Sequence, residues 1–359
     1  MRIKEFRFED KGRGWKLENL QLGKLTLLVG ASGAGKTQIL RALLRLKSVA
    51  NGNSALSIQW FVKFDIQGKE YEWEGEFGDF GNIVFEKIVI NKNTVINRTE
   101  TETYFNGNKT LKFSNNSSIV NVFGEDEILP IKQFKTIFSF NDFASFSFDR
   151  EGLLQNIWIK NLDGRLRSTD IEFIQKANHL GIIEKLYLVF EYNRSIFNKI
   201  IDIFKNIFPQ IEDVKFQKTG IDNDNLQTLF FKDKETRQYY FGENLASGMQ
   251  RVFLQLVELE LCPDGTIFLI DELENSLGIN CINELTKEIV ASQRDLQFII
   301  TSHHPYIINN IPFEHWKIVT RKGNAISTHD ASEYNLGRSK HDRFMQLLQL
   351  EEYQTGITL

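Results

Sequence analysis

The 359-residue sequence predicts an α/β fold with a mixed sheet flanked by helices, and three short apolar runs predict it. Residues 25–29 (LTLLV), 266–270 (TIFLI) and 298–300 (FII) are almost uninterrupted by polar residues. Runs of this kind suit strands buried on both faces of a parallel or mixed sheet. The first ends at a glycine-rich loop and gives way at Lys36 to helical spacing, with Ile39, Leu40, Leu43 and Leu44 on one face.

In chain order, residues 1–29 read as short strands. Residues 55–125 change character. Ile58, Trp60, Val62, Phe64 and Ile66 alternate with mostly polar residues, and turn signals follow at Gly68, Gly78 and Gly107. This is antiparallel patterning and predicts a β lobe. Over 150–215, Ile182, Ile183, Leu186, Phe190, Phe197, Ile200, Ile201 and Phe204 recur at three- and four-residue intervals until Pro209, which predicts helices too short for a coiled-coil arm. From 243 to 319 the reading is α/β again: a helix at 248–261, a strand at 266–270, a helix near 280–291 and a strand at 297–301. The tail turns helical around Phe344, Leu347 and Leu348. The α/β core is therefore expected to be split. Residues 1–50 and 241–330 would form it, 51–149 the β lobe, 150–240 an inserted helical subdomain and 331–359 a C-terminal tail.

Composition excludes several classes. With 30 Phe and only 5 Pro, the chain can build a large packed core and is not mostly disordered. A net charge of −4 gives no support to a surface that tracks nucleic acid as a whole, which would usually be basic. Cys262 and Cys281 do not form a C-x-x-C pair and read as buried or incidental thiols in a reducing compartment. The N-terminus has no apolar signal region and no run approaches the ~18 residues of a membrane span, so a cytoplasmic location is expected.

The chemistry begins at Gly30-Ala31-Ser32-Gly33-Ala34-Gly35-Lys36-Thr37, which fits G-x-x-x-x-G-K-[ST] between an apolar strand and an amphipathic helix. Glycines let the loop wrap a phosphate with its backbone N–H groups inward, and the helix N-terminus adds partial positive charge. Lys36 should reach the β- and γ-phosphates, Thr37 should place its hydroxyl on Mg²⁺, and Gly30, Ser32, Gly33, Ala34, Gly35 and Gln38 complete the cradle. Residues 266–272 end a buried strand with two carboxylates, where ligands bind in open α/β sheets. Asp271 is placed to hold Mg²⁺ and Glu272 to orient or deprotonate an attacking water. Alone, the pair would equally suit a solvated strand end; with the phosphate loop it reads as functional.

Three further segments carry a family resemblance. Asn244-Leu245-Ala246-Ser247-Gly248-Met249-Gln250-Arg251 resembles the L-S-G-G-Q signature of ABC ATPases, matching at Ser247, Gly248 and Gln250, with Met249 in place of the second glycine. A serine hydroxyl and free N–H groups at a helix start suit an anion. Taken alone the segment would be an ordinary helix cap. Asp271 to Leu277 resembles the Walker B and D-loop of the RecF-, SMC- and OLD-like group (D-E-P-E-N-S-L-H-P), with Leu273 for Pro. Thr301-Ser302-His303-His304-Pro305 resembles the T-H-S-P switch of that group, with His303 as the switch histidine and His304 open between a site and a structural role. No Q-loop is assignable; Gln133 and Asn141 are candidates. Trp15 is a candidate for stacking on adenine, against the alternative of a core tryptophan.

The resemblance lies near both ends of the chain; the middle is similar only in layout. It implies a P-loop NTPase of ABC-head type that binds ATP and Mg²⁺, with Lys36, Glu272 and His303 catalytic and Thr37 and Asp271 on the metal. It also implies a homodimer that sandwiches ATP, with Ser247, Gly248 and Gln250 facing the γ-phosphate held by the partner. Stand-alone ATPases of this group are often encoded beside an effector protein in anti-phage or toxin-like modules. They act there as switches, and no nuclease domain of the OLD kind is expected. The alternative is a RecF-like, ATP-gated DNA-binding protein, for which Arg165, Arg167, Arg338, Lys340 and Arg343 are the nearest basic residues. An inert nucleotide-bound scaffold and a transporter subunit are further classes, the first opposed by intact Glu272 and His303. No membrane partner is expected.

Overall fold

The computed structural model describes residues 1–110, 113–122, 134, 137–139, 157–158, 170–177, 180–219, 226–275, 277–334, 337 and 340–357. The chain divides into two compact units. One comprises Met1–Ser139, Gly265–Leu273 and Ser292–Leu359; the other comprises Phe140–Asp264 and Glu274–Ala291.

The first unit opens with β1 (Arg2–Asp10), β2 (Trp15–Gln21), β3 (Leu25–Val29) and α1 (Lys36–Ala50). There follow β4 (Ile58–Ile66), β5 (Lys69–Phe77), β6 (Ile83–Ile90), β7 (Asn93–Thr99), β8 (Thr103–Phe105) and β9 (Asn108–Lys109), then the single turn α2 (Ile119–Val122) and β10 (Ile137–Ser139). The second unit holds β11 (Ile157–Trp158), α3 (Ile171–Lys176), α4 (Ile182–Tyr192), α5 (Arg194–Ile207), β12 (Ile211–Lys218), β13 (Leu226–Asp233), β14 (Tyr239–Phe241) and α6 (Ser247–Leu261). The chain returns to the first unit for β15 (Ile267–Ile270) and to the second for α7 (Ile279–Ala291). It ends in the first with β16 (Gln297–Thr301), α8 (Pro305–Asn310), β17 (Trp316–Lys322), β18 (Ala325–Asp330), α9 (Lys340–Gln349) and α10 (Glu351–Thr355).

Among the described residues the first unit forms one sheet of fourteen strands, ordered β10-β15-β16-β3-β17-β18-β2-β1-β4-β5-β6-β7-β8-β9. Its first five strands run parallel. From β2 through β9 every pairing is antiparallel. The sequence patterns explain the split. Every residue of β3, β15 and β16 is buried, as strands covered on both faces require. In β4 buried and half-buried residues alternate without a break, so one face packs inward and the other faces water. Phe6, Trp60, Val62, Phe64, Trp73 and Ile88 share one core with Leu40, Leu43 and Leu46 of α1. Burying each such leucine is worth about 1.5–3 kcal/mol, which ties the helix behind the glycine-rich loop to the sheet.

Two features differ from the layout expected along the chain. Strand β4 pairs with β1 from Arg2–Asp65 to Asp10–Ile58, so the antiparallel strands after residue 51 continue the main sheet. Residues 150–240 are also only partly helical, because β12, β13 and β14 pair antiparallel there. The reason is a register shift between Ile211 and Asp213, which spaces the buried residues Ile211, Val214 and Phe216 by three and two and hides the strand's period. Within this second unit, Phe253 of α6 packs edge-on to Phe204 of α5 and Phe231 of β13, each with ring centroids 5.1 Å apart. Gln133, Asn141, Arg165, Arg167 and Arg338, named above as candidates, lie outside the described residues, as does the side chain of Lys340. Among the described residues no helix is long and apolar enough to cross a membrane.

Candidate active site

Parallel pairing brings the C-terminal ends of β15, β16, β3 and β17 to one edge of the sheet, where ligands of open α/β sheets bind. Each strand delivers a different chemistry there. Strand β3 runs into the glycine-rich loop. Gly30 has φ +147° and a Cβ on it would lie 2.5 Å from the Val319 carbonyl oxygen of β17. Gly35 has φ +112° and a Cβ there would lie 2.4 Å from Ile326 Cδ1. Only glycine fits either position, so the loop can hug its neighbours and leave its outer side open for a ligand. Helix α1 starts directly afterwards with no acidic residue in its first turn, so its positive end is not neutralised by its own side chains.

Lys36 is buried, and its Nζ donates to the carbonyl oxygens of Gly30 (2.8 Å) and Ala31 (2.9 Å). The loop thus holds its own cation in place. Thr37 Oγ1 donates to Asp271 Oδ1 at 3.1 Å. Thr301, fully buried at the end of β16, donates to the same Asp271 Oδ1 at 2.7 Å and accepts the Glu272 N–H at 2.7 Å. The Leu273 N–H donates to the Thr301 carbonyl at 3.1 Å. Two strand ends are therefore stitched together by one threonine. Glu272 has φ +48°, a left-handed conformation of the kind that costs a non-glycine residue about 1 kcal/mol, and its side chain is exposed beside the loop.

Ser32, Gly33, Gly35, Lys36, Thr37 and Gln38, with Asp271, Glu272, Thr301, His303 and Arg321, enclose a cavity of ≈ 370 Å³. That is within the range of ligand pockets. The oxygens of Thr37 and Asp271 suit a hard cation that takes its remaining ligands from phosphate and water. Among the described residues no cluster of three or more His, Cys, Asp or Glu could hold a metal by side chains alone.

The remaining candidates divide. His303 lines the cavity. His304 does not join it. Its Nδ1 accepts the Tyr306 N–H at 3.2 Å and so caps α8, while its own N–H donates to Ser302 Oγ at 3.0 Å. Trp15 is a core tryptophan, buried against Phe8 with centroids 5.5 Å apart. Gln38 lies in the first turn of α1, where its Oε1 accepts from Arg321 Nη1 at 3.0 Å. Ser247 and Gly248 start α6 in the second unit, with Ser247 exposed. Gln250 is buried, and its Nε2 donates to the carbonyls of Glu243 (3.0 Å) and Leu245 (2.8 Å). Its amide therefore braces the loop that presents Ser247. Arg251 Nη1 donates to the Asn275 carbonyl at 2.6 Å, which joins the start of α6 to the segment resembling a D-loop within that unit. Of the basic candidates, Arg343 turns to local partners, with Nε on the Gly337 carbonyl at 2.8 Å and its guanidinium 4.8 Å from the Phe313 ring centre.

Two residues that the sequence did not single out also line the cavity. Thr301 stood inside a recognised motif, but its bridge depends on two strands lying side by side. Arg321 carries no local signal at all; it enters because β17 pairs with β3.

A mixed sheet with a glycine-rich loop at the end of β3 and an acidic pair at the end of β15, one parallel strand away across β16, defines the P-loop fold of the ABC-head type. The chain belongs to the family described as "AAA domain, putative AbiEii toxin, Type IV TA system", which matches residues 25–309. No curated protein matches it. Among solved structures, the chain is similar to the Smc head bound to the C-terminal winged-helix domain of ScpA, with 15% identity, a TM-score of 0.53, and 92% of this chain and 98% of that one covered. It is also similar to an Smc head with an extended coiled coil bound to the C-terminal domain of ScpA from Pyrococcus furiosus, with 13% identity, a TM-score of 0.53, and 97% and 98% covered. These likenesses show the ABC-type head fold.

Proposed function

We propose that the chain binds ATP with Mg²⁺ at the cavity beside Lys36 and hydrolyses it. The carrying observation is the Thr37–Asp271–Thr301–Glu272 chain of hydrogen bonds, which holds two oxygen-bearing side chains and an exposed carboxylate beside the glycine-rich loop and so supports this reading. Lys36 and the N-terminus of α1 hold the phosphates. Thr37 and Asp271 would hold Mg²⁺, which would supply positive charge to offset that of the phosphates. Glu272 orients the attacking water and accepts its proton as the water oxygen bonds to the γ-phosphorus and the bond to ADP breaks. His303 stands at the neighbouring strand end and donates to the γ-phosphate.

We further propose that two copies pair head to head, each placing Ser247 and Gly248 against the phosphate held by the other, and that hydrolysis separates them. The state of the pair is read by a partner protein. That partner is an effector protein, with anti-phage defence as one setting; the family description supports a place in a toxin–antitoxin system. Size-exclusion chromatography with MgATP tests this. Lys36→Ala is expected to lose nucleotide binding and elute as the nucleotide-free protein does. Glu272→Gln is expected to keep ATP, lower turnover by about 10²–10⁴-fold and accumulate as a dimer. A Glu272→Gln protein that binds ATP and stays monomeric would reject the paired arrangement.

A further inference from the structure

We propose that Arg321 is a nucleotide-binding residue, a second cation that grips the phosphate chain in the cavity it shares with Lys36 and the acidic pair; this rests on the ATP-binding reading above. The proposal starts from an uncompensated charge. Arg321 lies at the end of β17, half-buried, and lines the same cavity as Lys36, Thr37 and Asp271. Its Nη1 donates to Gln38 Oε1 at 3.0 Å and its Nε to the Gly323 carbonyl at 2.9 Å. Both acceptors are neutral, and among the described residues no carboxylate lies within ion-pair distance of it. Lysines and arginines elsewhere in this unit, such as Lys63, Lys87 and Arg98, stand against glutamates. A half-buried guanidinium oriented by two neutral acceptors, with Nη2 left over, is a donor fork set for an anion.

Its surroundings hold that orientation. Gln38 follows Thr37 in the first turn of α1, so the residue that steers the guanidinium belongs to the phosphate-binding turn itself. The Arg321 N–H donates to the Gly356 carbonyl at 2.6 Å, and Arg321 bridges Ile357. Gly356 has φ +70°, and a Cβ there would lie 3.1 Å from Ala31 Cβ and 3.4 Å from Ala34 Cβ. The C-terminal segment thus lies against the outer side of the phosphate loop and fixes the backbone of Arg321 in the same step. Arg321 is the ligand; Gly356 is a positioning residue.

Calorimetric titration with MgATP decides the matter, alongside thermal melts without nucleotide. Arg321→Ala is expected to raise Kd by about tenfold or more, while the nucleotide-free melting temperature stays near that of the wild type. Arg321→Lys, which keeps charge but loses the fork, is expected to fall between. If Arg321→Ala binds MgATP as tightly as the wild type while Lys36→Ala does not, the arginine is structural and this proposal falls alone. A lowered nucleotide-free melting temperature with unchanged Kd leads to the same conclusion. If the wild type itself binds no MgATP, the nucleotide reading falls and this one with it.

Discussion

In the antiparallel half of the large sheet, Glu86 is fully buried yet saturated. It accepts from Trp73 Nε1 at 3.0 Å, from the Ile119 N–H at 2.9 Å and from Ser118 Oγ, and Arg98 stands 3.6 Å away. Arg98 in turn donates to the carbonyls of Ser117 and Ser114. In the parallel half, Asp271 accepts from Thr37 and Thr301, Glu272 stands exposed on a strained backbone, and Arg321 has a donor to spare. Both halves collect charged groups; around Glu86 the chain satisfies them itself, whereas around Asp271 bonding capacity is left facing a cavity. A buried charge that its own chain satisfies completely holds structure; one left partly unsatisfied beside open space is available to a ligand. The difference follows from strand direction. Parallel pairing gathers several strand ends and their loops at one edge, whereas the hairpins of the antiparallel half spend their ends on turns.

The comparison breaks if the two halves are not independent. The largest expected effect comes from Arg98→Met, which strands Glu86 without its cation. It is expected to lower stability by about 3–5 kcal/mol in a urea titration while leaving Kd for MgATP unchanged at low temperature. A matching loss of affinity would show that the antiparallel half shapes the site. Next is Thr301→Val, which keeps volume and removes one hydroxyl. Turnover is expected to fall about ten- to hundredfold through misplacement of Asp271 and Glu272, with a stability cost of about 1–3 kcal/mol, read by phosphate release and by melting. An unchanged rate would mean that the bridge between β15 and β16 serves packing only.

The smallest effect concerns a group of neither kind. Glu258 on α6 is buried, its Oε2 finds no hydrogen-bond partner, and burial pushes its carboxyl up to about 8, against the opposing pull of Lys185. Burial also pushes the Lys185 amine down. For Glu258 the folded value lies above the unfolded one. Between about pH 4.5 and 8 the folded chain holds a proton that the unfolded chain has released. Stability therefore falls as pH rises through that window and levels off above it. Glu258→Gln is expected to flatten this slope and to raise the melting temperature at pH 8 by a few degrees, with little change at pH 5. Melts at the two pH values check it, and an unaltered slope would place the pH dependence elsewhere.

The amino-acid order alone determined those parts of the protein that rest on local periodicity and contiguous chemistry. The phosphate loop, the Asp271–Glu272 strand end, the helix from 247 to 261 and the alternation of β4 depend on neighbours within about ten residues, and each was legible there. Tertiary structure decided what depends on strands meeting across long separations. The bond from Thr301 to Asp271, the turn of Gln250 toward its own loop, the capping role of His304 and the place of Arg321 beside Gln38 were not legible. The bulged β12 was hidden for a related reason, since its partner sets a register that its own spacing disguises. Local pattern reports which face of an element is apolar; only the pairing of β17, β3, β16 and β15 states whose side chains will share one cavity.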